Sequence, residues 1–376
     1  MPSWNAHPTE RSLSSGLPKA KPRGLGHLLP QGEKESRTTD PQGFAPQEIG
    51  MFIISFLVRR LAQGALIIFL VTLLIFTLLR VVPGDPVRLM AGGMAPEALI
   101  EQIAKEMGLR DPVLVQFGRY MSGVVRGDLG QSFVRPASGA STGGSSFGDA
   151  TRGERANVLT LIGETLPMTL QLALLAIVFA MLFSFLVGIP AGLSPGRWPD
   201  KVAFYVSSIF ISLPGFWLGI VLALLLSVKL GWLPAIGYKG FAYTILPAIV
   251  LAVELSPVLI RTLTGSISSA MMMPFIAVGR VRGLSQRRII FAHALRNASV
   301  PLLNLLGIQI SGLLGGVLVI EFIFDYPGLG LLTINAVLQR DFPLIQGIAI
   351  VTSAIFVLIN IAVDLIATLI DPRLEY

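Results

Sequence analysis

Cysteine is absent from the 376 residues, which removes disulfides, thiol nucleophiles and zinc–thiolate sites together. Histidine is nearly absent. The three present, His7, His27 and His293, lie outside every long apolar run and no H-E-x-x-H occurs, so serine–histidine and zinc-protease chemistries lack their parts. No Gly-Lys pair exists anywhere, which excludes a G-x-x-x-x-G-K-[ST] phosphate loop and hence ATP hydrolysis by this chain on that motif. Charge is scarce too, at 14% of residues against about 25% in soluble domains. What fills the space is apolar: 53% of residues are hydrophobic and the mean hydropathy is +0.71. The composition is that of a polytopic membrane protein. The net charge of +7 is spread through loops between apolar runs, where it reports topology rather than a nucleic-acid partner.

A helix needs about 20 residues at 1.5 Å each to cross a hydrocarbon core of about 30 Å. Six runs qualify, near 56–79, 166–192, 203–228, 244–264, 299–320 and 344–369. The expected fold is therefore an all-α polytopic membrane protein of six transmembrane helices, with an external helical segment after the first and a cytoplasmic loop between the fourth and fifth. With both termini cytoplasmic, the short inner segments carry Arg197, Lys201, Arg280, Arg282, Arg287, Arg288, Arg296 and Arg373, and the short outer loops only Lys229, Lys239 and Arg340. The positive-inside rule favours that orientation.

Four regions follow. Residues 1–50, with 7 Pro and 6 Gly and no apolar period, are expected to be disordered, and Met51 is a candidate start of translation. The first span occupies 51–80. Residues 81–160 form an external helical cap: Pro96 opens one helix that Gly108 ends, VLVQFGRYMSGVV at 113–125 makes a second, and 137–148 is a low-complexity, flexible insertion. The remainder, 161–376, is a five-helix core that includes the cytoplasmic loop 266–298.

That loop contains GRVRGLSQRRIIFAHALRNASVP at 279–301, five arginines without an acid. Pro274 opens a helix, Gly283 interrupts it, and Ser285 is placed to N-cap a second helix from Gln286. Arginines in the first turn of a helix oppose its dipole, so Arg287 and Arg288 point to anionic lipid headgroups or an acidic protein surface.

The run Arg280-Val281-Arg282-Gly283-Leu284-Ser285-Gln286-Arg287-Arg288, followed by His293-Ala294-Leu295-Arg296-Asn297 and Pro301, resembles the coupling loop (EAA loop) of bacterial ABC-importer permeases. The likeness is to the B-type subunit of the dipeptide, oligopeptide and nickel group. Val82-Pro83-Gly84-Asp85-Pro86, Gly127-Asp128-Leu129-Gly130, Leu213-Pro214-Gly215-Phe216-Trp217-Leu218, Leu230-Gly231-Trp232-Leu233-Pro234, Tyr326-Pro327-Gly328-Leu329-Gly330 and Asp371-Pro372-Arg373 match that group in order and spacing. Ala277-Val278-Gly279 stands where the general motif has Glu-Ala-Ala.

The resemblance implies a permease in the bacterial inner membrane with no cofactor of its own, ATP and Mg being bound by two cytoplasmic ATPase subunits. It also implies a second homologous permease, an external substrate-binding protein and contact with membrane lipid. The residues it implies for ATPase coupling are Gly279, Arg280, Arg282, Gly283, Leu284, Ser285, Arg287, Arg288, His293, Ala294 and Leu295. Peptides lead as substrates by the same resemblance, ahead of nickel chelates, glutathione and short glycans. An ion-coupled secondary transporter or channel is the alternative, and it would ordinarily place coupling charges at mid-membrane.

Within the spans, Glu254 is the lone mid-membrane acid, and an acid there faces protein or water. With Asn304 and Gln309 it is a candidate for the translocation path, the alternative for all three being bonds between helices. Gly307, Ser311 and Gly315, four apart, suit close packing against a second permease or within the chain. Asp364, near the inner end of the last span, is placed to reach headgroups or a basic partner.

Overall fold

The computed structural model describes residues 46–81, 87–88, 95–106, 108–136 and 155–370. Nearly all of 1–50, the insertion 137–148, Val82-Pro83-Gly84-Asp85-Pro86 and Asp371-Pro372-Arg373 lie outside the described residues. Residues from Ile53 onward form one compact unit.

Helix α1 runs Pro46–Val81, taking in the last five residues of the stretch expected to lack structure. The cap is helical as expected. Helix α2, Glu97–Glu106, starts after Pro96, and Gly108 beyond it takes φ +67°. Helix α3, Val113–Val125, follows Pro112 and packs on α1 through Phe117, whose ring centroid lies 5.3 Å from that of Phe76. A two-stranded antiparallel ribbon then appears that the hydropathy does not announce. Strand β1 (Gln131–Pro136) pairs with β2 (Arg155–Asn157) and returns the chain to the membrane.

Helix α4, Val158–Leu193, is longer than the expected 166–192. The Asn157 side chain accepts the Leu159 N–H at 2.8 Å, a cap that starts the helix two turns early. The third span departs most from expectation. It is broken into α5 (Trp198–Ser212) and α6 (Gly215–Leu222), bent by 98°, with a π-helical turn Ala223–Lys229 completing it. Pro214 has no N–H to continue the helix, and the residue before a proline is driven out of the helical region; Leu213 takes φ −90°, ψ 119°.

Helix α7, Ala242–Met271, is the centre of the core, with Leu246, Leu259, Ile260, Leu263 and Ile267 fully buried. It meets α4 across glycines. A side-chain carbon at Gly192 would lie 2.8 Å from both Ile267 Cβ and Thr264 O, and one at Gly188 3.3 Å from Ile260 O. Where lipid offers no hydrophobic drive between helices, such backbone approach supplies the van der Waals contact that holds them.

Helix α8 (Pro274–Val281) is short and α9 begins at Gln286–Arg288. Without a break, α9 passes through a π-helical turn Ile289–Ala294 into α10, Leu295–Ile323. The second helix of the 266–298 loop and the fifth span are thus one rod. Helix α11 (Leu329–Leu338) lies between α10 and the last span, α12 (Phe342–Ile370). Among the described residues five helices are long and apolar enough to cross a membrane, or six if the bent pair is one span.

Candidate functional site

The loop 266–298 folds as a tight elbow. At Gly283 the chain reverses with φ +73°, a conformation that costs an L-residue about 1 kcal/mol or more, and the Leu284 N–H returns to the Gly279 carbonyl at 3.1 Å. The Ser285 hydroxyl accepts the Arg288 N–H at 3.4 Å, the cap that the sequence announces. Gly279, Ile276, Ile289 and Ala294 are buried inside the elbow and Leu295 is half-buried, whereas Arg280, Arg282, Arg287, Arg288 and His293 are exposed.

The sequence reading missed the apolar partner surface of these arginines. Val281 is 90% exposed, Phe291 62%, Met272 78% and Val278 51%. Exposed apolar and cationic groups therefore occur together along this loop, a mixture that interfaces also show.

At mid-span, Glu254 is exposed in the isolated chain and makes no hydrogen bond or ion pair among the described residues. Its Oε2 lies where a side-chain carbon at Gly215 would be 2.7 Å away, and 3.9 Å from the same position at Gly316. The carboxylate thus stands beside the first residue of α6, at the break of the third span. Helix N-termini favour anions. Arg261 does not reach it: its guanidinium donates to Ser207 Oγ at 3.2 Å and Ser208 Oγ at 3.0 Å on α5. Asn304 and Gln309 are half-buried and unpartnered among the described residues.

The small residues of the fifth span divide. Gly307 packs directly against Val363, and Ser311 Oγ lies 3.4 Å from Asn360 Oδ1, so both make contact with α12 within this chain. Gly315, by contrast, has open space around it, as does Gly312. Asp364 finds its basic partner inside the chain, Arg60 of α1 at 2.6 Å.

Two buried acids outside the candidate set organise the opposite end. Glu321 is fully buried, and its carboxylate accepts Thr169 Oγ1–H and Gly330 N–H, both at 2.6 Å, and Leu331 N–H at 3.2 Å. It caps α11. The glycines of Tyr326-Pro327-Gly328-Leu329-Gly330 make room for it: a side-chain carbon at Gly330 would fall 2.9 Å from Glu321 Oε2. Asp341, also fully buried, accepts Phe133 N–H at 2.9 Å and the Ser132 hydroxyl, tying β1 to the start of α12. The signal for Glu321 was present as an acid seven residues before a Gly-Leu-Gly.

A bundle of membrane-length apolar helices with a helical elbow between the fourth and fifth spans is the architecture of a polytopic membrane protein. The chain belongs to the family described as binding-protein-dependent transport system inner membrane component, whose model matches residues 184–376, with the N-terminal family of the same systems matching 53–173. It is similar to the glutathione transport system permease protein GsiC of Escherichia coli strain K12, 33% identical over 324 residues that cover 86% of this chain and 100% of the relative. The GsiC of Shigella dysenteriae serotype 1 matches to the same extent. Among solved structures, an inward-facing MetNI methionine ABC transporter matches at 18% identity and TM-score 0.46, covering 57% of this chain and 97% of that one. An amino acid ABC transporter crystallised with histidines matches at 19% and 0.42, covering 57% and 95%. The chain is accordingly an ABC-importer permease, a transport component rather than an enzyme, working with ATPase and binding-protein partners.

Proposed function

We propose that this permease conducts short peptides or peptide-like solutes, glutathione among the candidates, as one of two homologous permeases served by two cytoplasmic ATPases that bind ATP and Mg. An external receptor delivers the substrate, and both termini are cytoplasmic. The observation that supports the reading is the elbow, where Arg280, Arg282, Arg287 and Arg288 are exposed together with Val281 and Phe291. A packed two-helix elbow transmits displacement because its interior has one arrangement. The likeness to a glutathione permease supports the substrate class.

On this reading Glu254, Asn304 and Gln309 line the path, since an acid without a partner at mid-span is stable only beside water or another protein. The test is uptake by proteoliposomes holding the assembled transporter. Arg287→Glu with Arg288→Glu is expected to lower ATP-driven uptake at least tenfold with membrane insertion unchanged, an effect that reversing two interfacial charges of about 1 kcal/mol each readily gives. Unchanged uptake at equal expression refutes the docking role, and uptake driven by an ion gradient without the ATPases refutes the class of transport.

A further inference from the structure

Beneath the cap lies a cavity of about 400 Å³ whose polar lining includes Arg80 at the end of α1, Gln116 and Tyr120 on α3, and Arg155 and Asp128 from the segments flanking the ribbon. Its wall is completed by Phe342 and Pro343 at the start of α12. Among the described residues, three polar atoms in this wall are buried without a hydrogen-bond partner: Arg80 Nε, Gln116 Oε1 and the Tyr120 hydroxyl. Gln116 is only 9% exposed, and its amide nitrogen is already committed to Leu109 O and Asp111 O at 3.0 and 2.7 Å. The free atom is therefore an acceptor fixed in place. Arg80, by contrast, is a cationic donor held with its guanidinium carbon 4.9 Å from the centroid of the Phe76 ring. Burial pushes the Tyr120 phenol up, so it stays a neutral hydroxyl.

Buried polar groups are ordinarily satisfied, and an unpaired set within one cavity points to a missing guest. The guest has to present an acceptor, preferably anionic, to Arg80 and Tyr120, and a donor, preferably cationic, to Gln116 Oε1. Location narrows it further. Arg80 ends a membrane-crossing helix, so with the orientation proposed above the cavity sits at the level of the outer headgroups.

We propose that the cap cavity binds a phosphoammonium zwitterion, the headgroup of an outer-leaflet phosphatidylethanolamine. The phosphate lies on Arg80 and Tyr120, and the ammonium donates to Gln116. Because the Tyr120 hydroxyl has no hydrogen-bond partner among the described residues, removing it deletes a contact to the lipid and no hydrogen bond within the protein. Tyr120→Phe should therefore leave the lipid-free complex as stable as the parent or slightly more so, while a purely structural role of that hydroxyl predicts the opposite.

The experiment is native mass spectrometry of the assembled transporter, delipidated in mild detergent and titrated with short-chain phosphatidylethanolamine, phosphatidylglycerol or phosphatidylcholine, with thermal unfolding followed in parallel. One phosphatidylethanolamine is expected to be retained per copy of this chain. Tyr120→Phe and Arg80→Gln should each weaken retention about tenfold, the effect of one lost bond to a charged group. Soluble phosphoethanolamine competing fully shows that the headgroup alone is recognised, whereas failure to compete shows that the acyl chains are required, and either supports the lipid as guest when the variants respond. Equal retention of all three lipids, or variants that retain lipid as the parent does, overturns the proposal. Neither result depends on transport, so the reading of the elbow stands or falls separately.

Discussion

Glu321 shows how much one side chain can organise. Its carboxylate accepts three hydrogen bonds with no exposure to solvent, and Thr169, one of the donors, in turn accepts the Leu329 N–H at 2.7 Å. Glu321→Ala strands all of these donors, and a buried donor without a partner costs about 1–3 kcal/mol. We expect a loss of about 2–4 kcal/mol in unfolding followed in mild detergent, and a smaller one for Glu321→Gln, which keeps one acceptor. Glu254 is the contrasting acid, exposed and without a partner. Glu254→Cys is expected to react with a water-soluble maleimide in the assembled transporter, and substrate should slow that reaction. A labelling rate equal to that of Leu182→Cys, an exposed apolar position on α4, would remove Glu254 from the path. With no native cysteine, the parent needs no prior substitution.

At the scale of elements, the sequence was read well where a local rule decides. Pro96 and Gly108 bound α2, Ser285 caps α9 and Gly283 turns the elbow, because each acts through its own backbone. Reading failed where a partner decides. The ribbon depends on Asp341, some two hundred residues from β1, and short strands of ordinary composition carry no period that reveals it. The break at Leu213-Pro214 looked continuous because hydropathy registers apolarity and not direction. Gly307 and Ser311 showed the spacing of a packing stripe, yet spacing does not say which helix arrives. The same limit hid Gly188 and Gly192, whose partner is α7. Gly192→Leu would push a branched side chain into Ile267 and the Thr264 carbonyl, and overpacking of this kind costs about 1–3 kcal/mol. The expected outcome is lowered thermal stability of the purified complex. Gly192→Ala should behave as a milder version.

For the whole molecule, the membrane sidedness of the elbow is the assertion on which the assignment of partners rests. Cysteines introduced singly at Lys239 and at Arg282 distinguish the two orientations in intact spheroplasts. An impermeant maleimide is expected to label Lys239→Cys directly and Arg282→Cys only after permeabilisation. The reverse pattern would place the elbow outside and end its association with a nucleotide-driven partner. The same preparations test the elbow mechanically. Gly283→Pro demands φ near −65° where the chain takes +73°, so it should uncouple ATP hydrolysis from uptake while the spans still insert.

The uninterrupted run from Gln286 to Ile323 gives the chain a strut of roughly 55 Å at helical rise. The elbow sits at one end and the carboxylate clamp of α11 at the other. Pivoting such a strut by about 10° at its midpoint carries each tip roughly 5 Å in opposite directions. Unless the π-helical turn or Pro301 absorbs the swing, the two faces of the membrane are geared together, and opening on one side is closing on the other.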